Sequence, residues 1–313
     1  MVYALAGSAC LMTQRGENLA MLAVALSAFA WGIYWIPLRA MDAAGINGAW
    51  SIVMFNALPL VILLPVFAFR WRALVSGGWR LHVAGLLAGG AMVSYAAALI
   101  YTDVVRALLL YYLTPIWSTL LARALLGERI TPIRWATIAF GVLGVSVIVR
   151  IESGFDLAFN AGDWMGLAAG VIWAMAAVLL NGGAVKSGTD YTLSYFLWGS
   201  VAALALTQMP FANTGTVPSG SAILAVLPWM IPVVAIIVIP PAFAIMWGAT
   251  VISPGLLAIL FMTEISAGTI TAAIWTGEEI GAREISGIVL VSLAGLLEPV
   301  KKMMANRSKP YVA

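Results

Sequence analysis

Residues 191–263 contain no Asp, Glu, Lys, Arg or His. One helix of that length would run roughly 110 Å at 1.5 Å per residue, so the stretch must be divided. It is broken by Gln208-Met-Pro-Phe-Ala-Asn-Thr-Gly-Thr-Val-Pro-Ser-Gly-Ser221 and by Ser253-Pro254-Gly255, both rich in residues that end helices. The pieces left between the breaks suit a hydrocarbon core about 30 Å thick, which takes roughly 20 apolar residues per helix. The rest of the chain agrees: 63% of its 313 residues are hydrophobic and 9% charged, against about 45–50% and 25% in soluble domains. Mean hydropathy is +1.01. A cytosolic enzyme, a secreted module and a nucleic-acid binder are excluded. The apolar blocks do not alternate in polarity, so they read as helices rather than barrel strands. A single Cys leaves no intramolecular disulfide to consider.

Charge-free runs predict ten spans: Asn18–Leu38, Trp50–Phe69, Leu81–Tyr101, Ala107–Leu126, Ile133–Val149, Trp164–Val185, Tyr191–Gln208, Leu224–Gly248, Gly255–Trp275 and Ile285–Pro299. Residues 1–17 lack a basic n-region and are expected to be an uncleaved tail, with Met12 an alternative start. Residues 301–313 form a basic tail. With ten spans, twelve Lys and Arg residues fall on the side of both termini and four on the other. The positive-inside rule therefore predicts cytoplasmic termini. Trp50, Trp71, Trp79, Trp135, Trp164 and Trp275 fall at span ends, where an amphipathic ring is comfortable.

The two halves resemble each other. Span four contains Leu109-Leu-Tyr-Tyr-Leu-Thr-Pro-Ile-Trp and closes on Gly127-Glu128, while the matching stretch of span nine begins at Ile259 and closes on Gly277-Glu278. Trp31 in span one pairs with Trp173 in span six. Five spans per copy is odd, so residues 18–150 and 151–300 should be inverted-topology repeats, with a site at the midplane between them. With Ala30-Trp31-Gly32 and the two Gly-Glu helix ends, the chain resembles the EamA-type branch of the drug/metabolite transporter superfamily over about residues 18–300. Its aromatic-rich first half is similar to bacterial amino acid exporters of the YddG type. The pattern departs at Gly32, whose partner is Ala174, and at Pro115, replaced by Glu264 or Ile265. The resemblance implies a central cavity and export of small metabolites across the bacterial inner membrane.

Glu264 lies mid-span. An ionised carboxylate facing lipid there costs at least ~2.5 kcal/mol, so it should face the interior; a substrate ammonium contact, a coupling proton and a packing role all fit it. Trp31, Tyr95, Tyr111, Tyr112, Trp173 and Trp198 lie away from the interfaces and are expected to line a substrate cavity around it. Trp and Tyr rings suit an apolar side chain and can face an ammonium. Glu298, one helical turn before Lys301 and Lys302, and Glu128, beside Arg129, are expected to be interfacial ion pairs. His82 is expected at the interface. Gly85-xxx-Gly89 and Gly166-xxx-Gly170 should permit close helix contact.

These features favour a secondary transporter working by alternating access on amino acids with apolar or aromatic side chains. A transporter of cationic or aromatic drugs is the alternative. No lysine or arginine lies mid-span for a phosphorylated substrate, and no nucleotide motif is present. An intramembrane enzyme would need an intramembrane His or Asp that the sequence does not supply. A non-transporting membrane protein would show no flux. The expected partners are a small-molecule substrate and the lipid bilayer, with no nucleic acid and no cofactor; oligomeric state stays open.

Overall fold

The computed structural model describes residues 2–46, 48–102, 107, 110–148, 159–181, 187–209, 216–276 and 281–307. Among these the chain is helical, with no strand: α1 (Val2–Trp31), α2 (Trp35–Ala43), α3 (Ala49–Ile62), α4 (Leu64–Ser76), α5 (Gly78–Tyr101), α6 (Thr114–Leu126), α7 (Pro132–Ile148), α8 (Ala161–Asn181), α9 (Gly188–Leu206), α10 (Gly220–Val233), α11 (Ile239–Val251), α12 (Pro254–Phe261), α13 (Thr263–Thr276) and α14 (Ala282–Arg307). Four helical stretches among the described residues are long and apolar enough to cross a bilayer: Arg15–Leu38, Gly78–Tyr101, Ala161–Asn181 and Gly220–Val251.

Large apolar side chains are exposed along many of the helices. Leu19, Leu22, Leu26 and Phe29 form an exposed stripe along α1 at helical spacing, and Leu224, Ile231 and Ile236 are exposed along the stretch from α10 to α11. Water would not tolerate such continuous patches. The chain is a multi-pass membrane protein.

Several expected spans are not simple rods. The second breaks at Leu63, where α3 and α4 meet at 81°. Pro59 lies inside α3 and Pro65 opens α4, and a proline supplies no N–H to a continuous helix. Beyond the bend, Phe69 is 89% exposed, and Trp71 and Trp79 are exposed with Arg72 and Arg80 each 5.6 Å above a ring centroid. That is the composition of a segment lying at the interface rather than crossing it. Arg70 on α4 donates to both carboxylate oxygens of buried Asp190 on α9, at 2.6 and 2.9 Å. Between α10 and α11 the chain makes a π-helical segment, Val234–Val238. Pro240 and Pro241 follow one residue after it, and their missing donors make a regular ladder impossible there. The first helix reaches back to Val2, while the stretch of it long and apolar enough to cross a bilayer starts at Arg15.

Close packing is set by small residues. A Cβ on Gly85 would lie 2.1 Å from Ser194 Oγ, and one on Gly89 would lie 2.6 Å from the Gly199 nitrogen. The two glycines of α5 therefore let α9 approach backbone to backbone. The same α5 packs on α8 along its other side, α1 packs on α11, α6 on α8, and α7 on α14.

Candidate functional site

Three helix interruptions converge on Glu264. Span nine is not continuous: α12 stops at Phe261, Met262 turns, and α13 starts at Thr263. Glu264 is thus a first-turn residue of α13, where a carboxylate interacts favourably with the helix N-terminus. Span four is interrupted at Tyr112–Leu113, just before α6. Span one is interrupted at Gly32–Tyr34, between α1 and α2. At the last of these the contact is backbone to backbone: a Cβ on Gly32 would meet Ala267 Cβ at 2.5 Å and the Glu264 carbonyl oxygen at 2.6 Å. Only glycine fits there. Irregular backbone at membrane depth is tolerated where protein buries it or it lines a cavity.

The exposed backbone groups at these breaks find local partners. Thr114 donates from its hydroxyl to the Tyr111 carbonyl. Thr263 donates to the carbonyls of Leu260 at 2.8 Å and Ala25 at 3.2 Å, tying the start of α13 to α1. Trp35 Nε1 donates to Thr271 Oγ1 at 3.3 Å, tying α2 to α13.

Glu264 is 9% exposed. Tyr95 on α5 donates its hydroxyl to Glu264 Oε1 at 3.3 Å. Tyr112 faces the same carboxylate, with its hydroxyl outside hydrogen-bond geometry. Tyr111 stacks on Tyr95 with ring centroids 4.3 Å apart and stands edge-on to Tyr112 at 5.4 Å. Next to this triad, Phe261 sits between two indoles, 5.3 Å from Trp173 and 6.3 Å from Trp31. Trp173 is almost fully buried, and its Nε1–H has no acceptor.

Six of the seven sequence candidates therefore fall into these two neighbouring groups. Trp198 does not. Its Nε1 donates to His82 Nδ1 at 3.1 Å, and His82 Nε2 faces the Leu74 carbonyl at 3.2 Å. His82 begins the second turn of α5, whereas Tyr95 lies thirteen residues further along it, about 20 Å at helical rise. Phe261, Gly32 and Thr263 were not singled out by the sequence, because their roles depend on which helix faces them. The turn at Met262 had no breaker to announce it.

The expected partners of Glu298 are Lys301 and Lys302; the Lys302 side chain lies outside the described residues, and the structure gives Glu298 another partner. Arg134, in the first turn of α7, binds Glu298 on α14 through Nε at 3.2 Å to each oxygen and Nη2 at 2.7 Å to Oε1. Its Nη1 donates to Glu128 Oε2 at 3.0 Å and its Nη2 to Ser253 Oγ at 3.1 Å. The reason is geometric. Gly127, with φ 70°, ends α6 in the left-handed region, and so turns Glu128 back towards α7.

A cavity of about 690 Å³, lined by Ile133, Leu293, Leu296, Leu297, Val300, Lys301 and Met304, shares no residue with the Glu264 cluster. Its apolar lining lies along α7 and α14. No group of metal-ligating side chains occurs among the described residues.

Residues 18–150 match the family model of the EamA-like transporter family. The chain carries an EamA-type domain. A 131-residue stretch is 29% identical to an uncharacterized transporter of Vibrio cholerae serotype O1 (strain ATCC 39315 / El Tor Inaba N16961), covering 40% of this chain and 43% of that protein. The matched stretch thus spans less than half the length of that curated relative. A solved crystal structure superposes with a TM-score of 0.64 over 89% of this chain and 97% of the other, at 20% identity, so the two share a fold over most of their length.

Proposed function

We propose that this protein is a secondary transporter that exports small amine-bearing amphiphiles, foremost amino acids with apolar or aromatic side chains, by alternating access across the bacterial inner membrane, with both termini cytoplasmic. The observation that carries the reading is Glu264: a buried carboxylate at the meeting point of three helix breaks, surrounded by aromatic rings. Discontinuous helices at a repeat interface are where secondary transporters hold substrate. The carboxylate suits an ammonium, and the Trp31–Phe261–Trp173 group suits an apolar side chain.

Two features support the inverted repeat. A shift of 150 residues carries the break at Tyr112 onto that at Met262. Exchanging the halves also turns the α5–α8 contact into α11–α1, and α6–α8 into the contact of α13 with α1. The pairs α3–α9 and α7–α14 map onto themselves, as elements beside a two-fold axis do.

The alternative, a transporter of cationic or aromatic drugs, would also use Glu264. The Trp173 Nε1–H without an acceptor favours a substrate that brings a carboxylate as well. Purified protein in liposomes, offered phenylalanine, phenethylamine and phenylpropionate in counterflow, separates the cases. Phenylalanine alone moving well supports the amino acid reading. Phenethylamine moving as fast favours the drug reading, and no saturable flux of any of them contradicts transport of this substrate class.

A further inference from the structure

On the side expected to hold most of the Lys and Arg residues, one side chain ties α6, α7, α12 and α14 together. Arg134 on α7 binds Glu298 on α14, Glu128 just after α6, and Ser253, which caps α12 by accepting from the Leu256 N–H at 3.4 Å. The guanidinium is nearly buried, as is the Glu298 carboxylate, while Glu128 keeps 23% of its side chain exposed. A Cβ on Gly255 would lie 2.9 Å from Arg134 Nη1 and 3.1 Å from Thr119 Oγ1, so α12 closes directly over the arginine. Under the proposed repeat, Glu128 and Arg134 belong to one half, and Ser253 and Glu298 to the other.

We infer that Arg134 is the latch of a gate: its bonds to Glu298 and Ser253 close the side expected to carry both termini, and their rupture opens a water path to the Glu264 cluster. This rests on the transporter reading above. Two observations distinguish a latch from a rivet. The first is location. Charges separated deep in the membrane stay unsolvated, whereas Glu128 is partly exposed and lies with Arg134 at the polar connector between spans four and five, an interfacial position in the charge-based topology, where each separated charge regains hydration. The second is what lies behind it. Ser118 and Thr119 on α6 are fully buried with hydroxyls that have no partner. They stand between Thr114, at the helix break, and Glu128, at the latch. Buried hydroxyls of this kind cost stability in a closed helix bundle, and they become useful when water or substrate passes them.

The test is accessibility of a cysteine behind the latch. Ser118→Cys is placed in a Cys10→Ala background, and its reaction with a water-soluble maleimide is timed in nanodiscs. With the latch intact the reaction is slow. Glu298→Gln, which keeps shape but removes the charge, and Arg134→Gln should each speed it at least fivefold, while Arg134→Lys falls between. If Arg134→Gln fails to fold, Glu298→Gln and Glu128→Gln carry the comparison. Unchanged rates in the folded variants, with only a lower melting temperature, overturn the latch and leave a structural tie. Faster labelling without flux of any amine would uphold the latch and reject the substrate reading; normal flux with unchanged labelling would do the reverse.

Discussion

Tyr95 and Glu264, 169 residues apart in sequence, share a buried hydrogen bond of 3.3 Å between α5 and the first turn of α13. The bond joins the two halves of the chain at the depth where spans one, four and nine all break. Tyr95→Phe should therefore separate packing from function. Interhelical hydrogen bonds in membranes are worth about 0.6 kcal/mol on average, so thermal stability should change little. Apparent substrate affinity should fall several-fold, because the carboxylate is no longer held in place. Unchanged affinity in a flux assay would assign the bond to packing alone.

Gly32 should not tolerate even one methyl group. Its Cβ would press on Ala267 and on the Glu264 backbone, and overpacking of this kind costs about 1–3 kcal/mol. Gly32→Ala should lower the melting temperature and slow transport together. Gly16, whose Cβ would meet nothing within 4 Å, is the matched control, and Gly16→Ala should be silent in both measurements.

Gly127 presents a different constraint, since its φ of 70° is strained for other residues by about 1–2 kcal/mol. Gly127→Ala should destabilise by that amount in a thermal melt and weaken the Glu128–Arg134 contact. A melting curve superimposable on the wild type would mean that the α6 terminus relaxes freely.

Orientation is tested from outside. Single cysteines at Asn213 and Ser308, both outside the described residues, should differ in a Cys10→Ala background: an impermeant maleimide added to intact cells should label the first and spare the second. Equal external labelling would overturn the charge-based topology.

How much of this was legible in the sequence depends on the range of each interaction. Helices and their lipid surroundings follow from local composition, and Ser253-Pro254-Gly255 marks the start of α12 because capping and proline chemistry act within four residues. The tyrosine triad was legible through helical spacing within the expected span four and the depth of Tyr95 in α5. Trp198 shared a plausible depth, yet its ring meets His82, and depth alone cannot choose between faces of a helix bundle. Arg134 and Glu298 pair across 164 residues, which no short spacing rule can see. The bend at Leu63 had its signal in Pro59 and Pro65; hydropathy alone carried the span through it.

The most direct test of the central claim is flux in liposomes containing Glu264→Gln. Gln keeps the shape and most of the hydrogen bonding but cannot carry a negative charge. If Glu264 receives the substrate ammonium, counterflow of an aromatic amino acid should lose at least tenfold in apparent affinity, with folded yield and pH profile retained. If it carries a coupling proton instead, uptake driven by a proton gradient should vanish while downhill exchange persists. Wild-type flux, affinity and pH profile in the Gln variant would contradict the assignment of Glu264 as the functional centre.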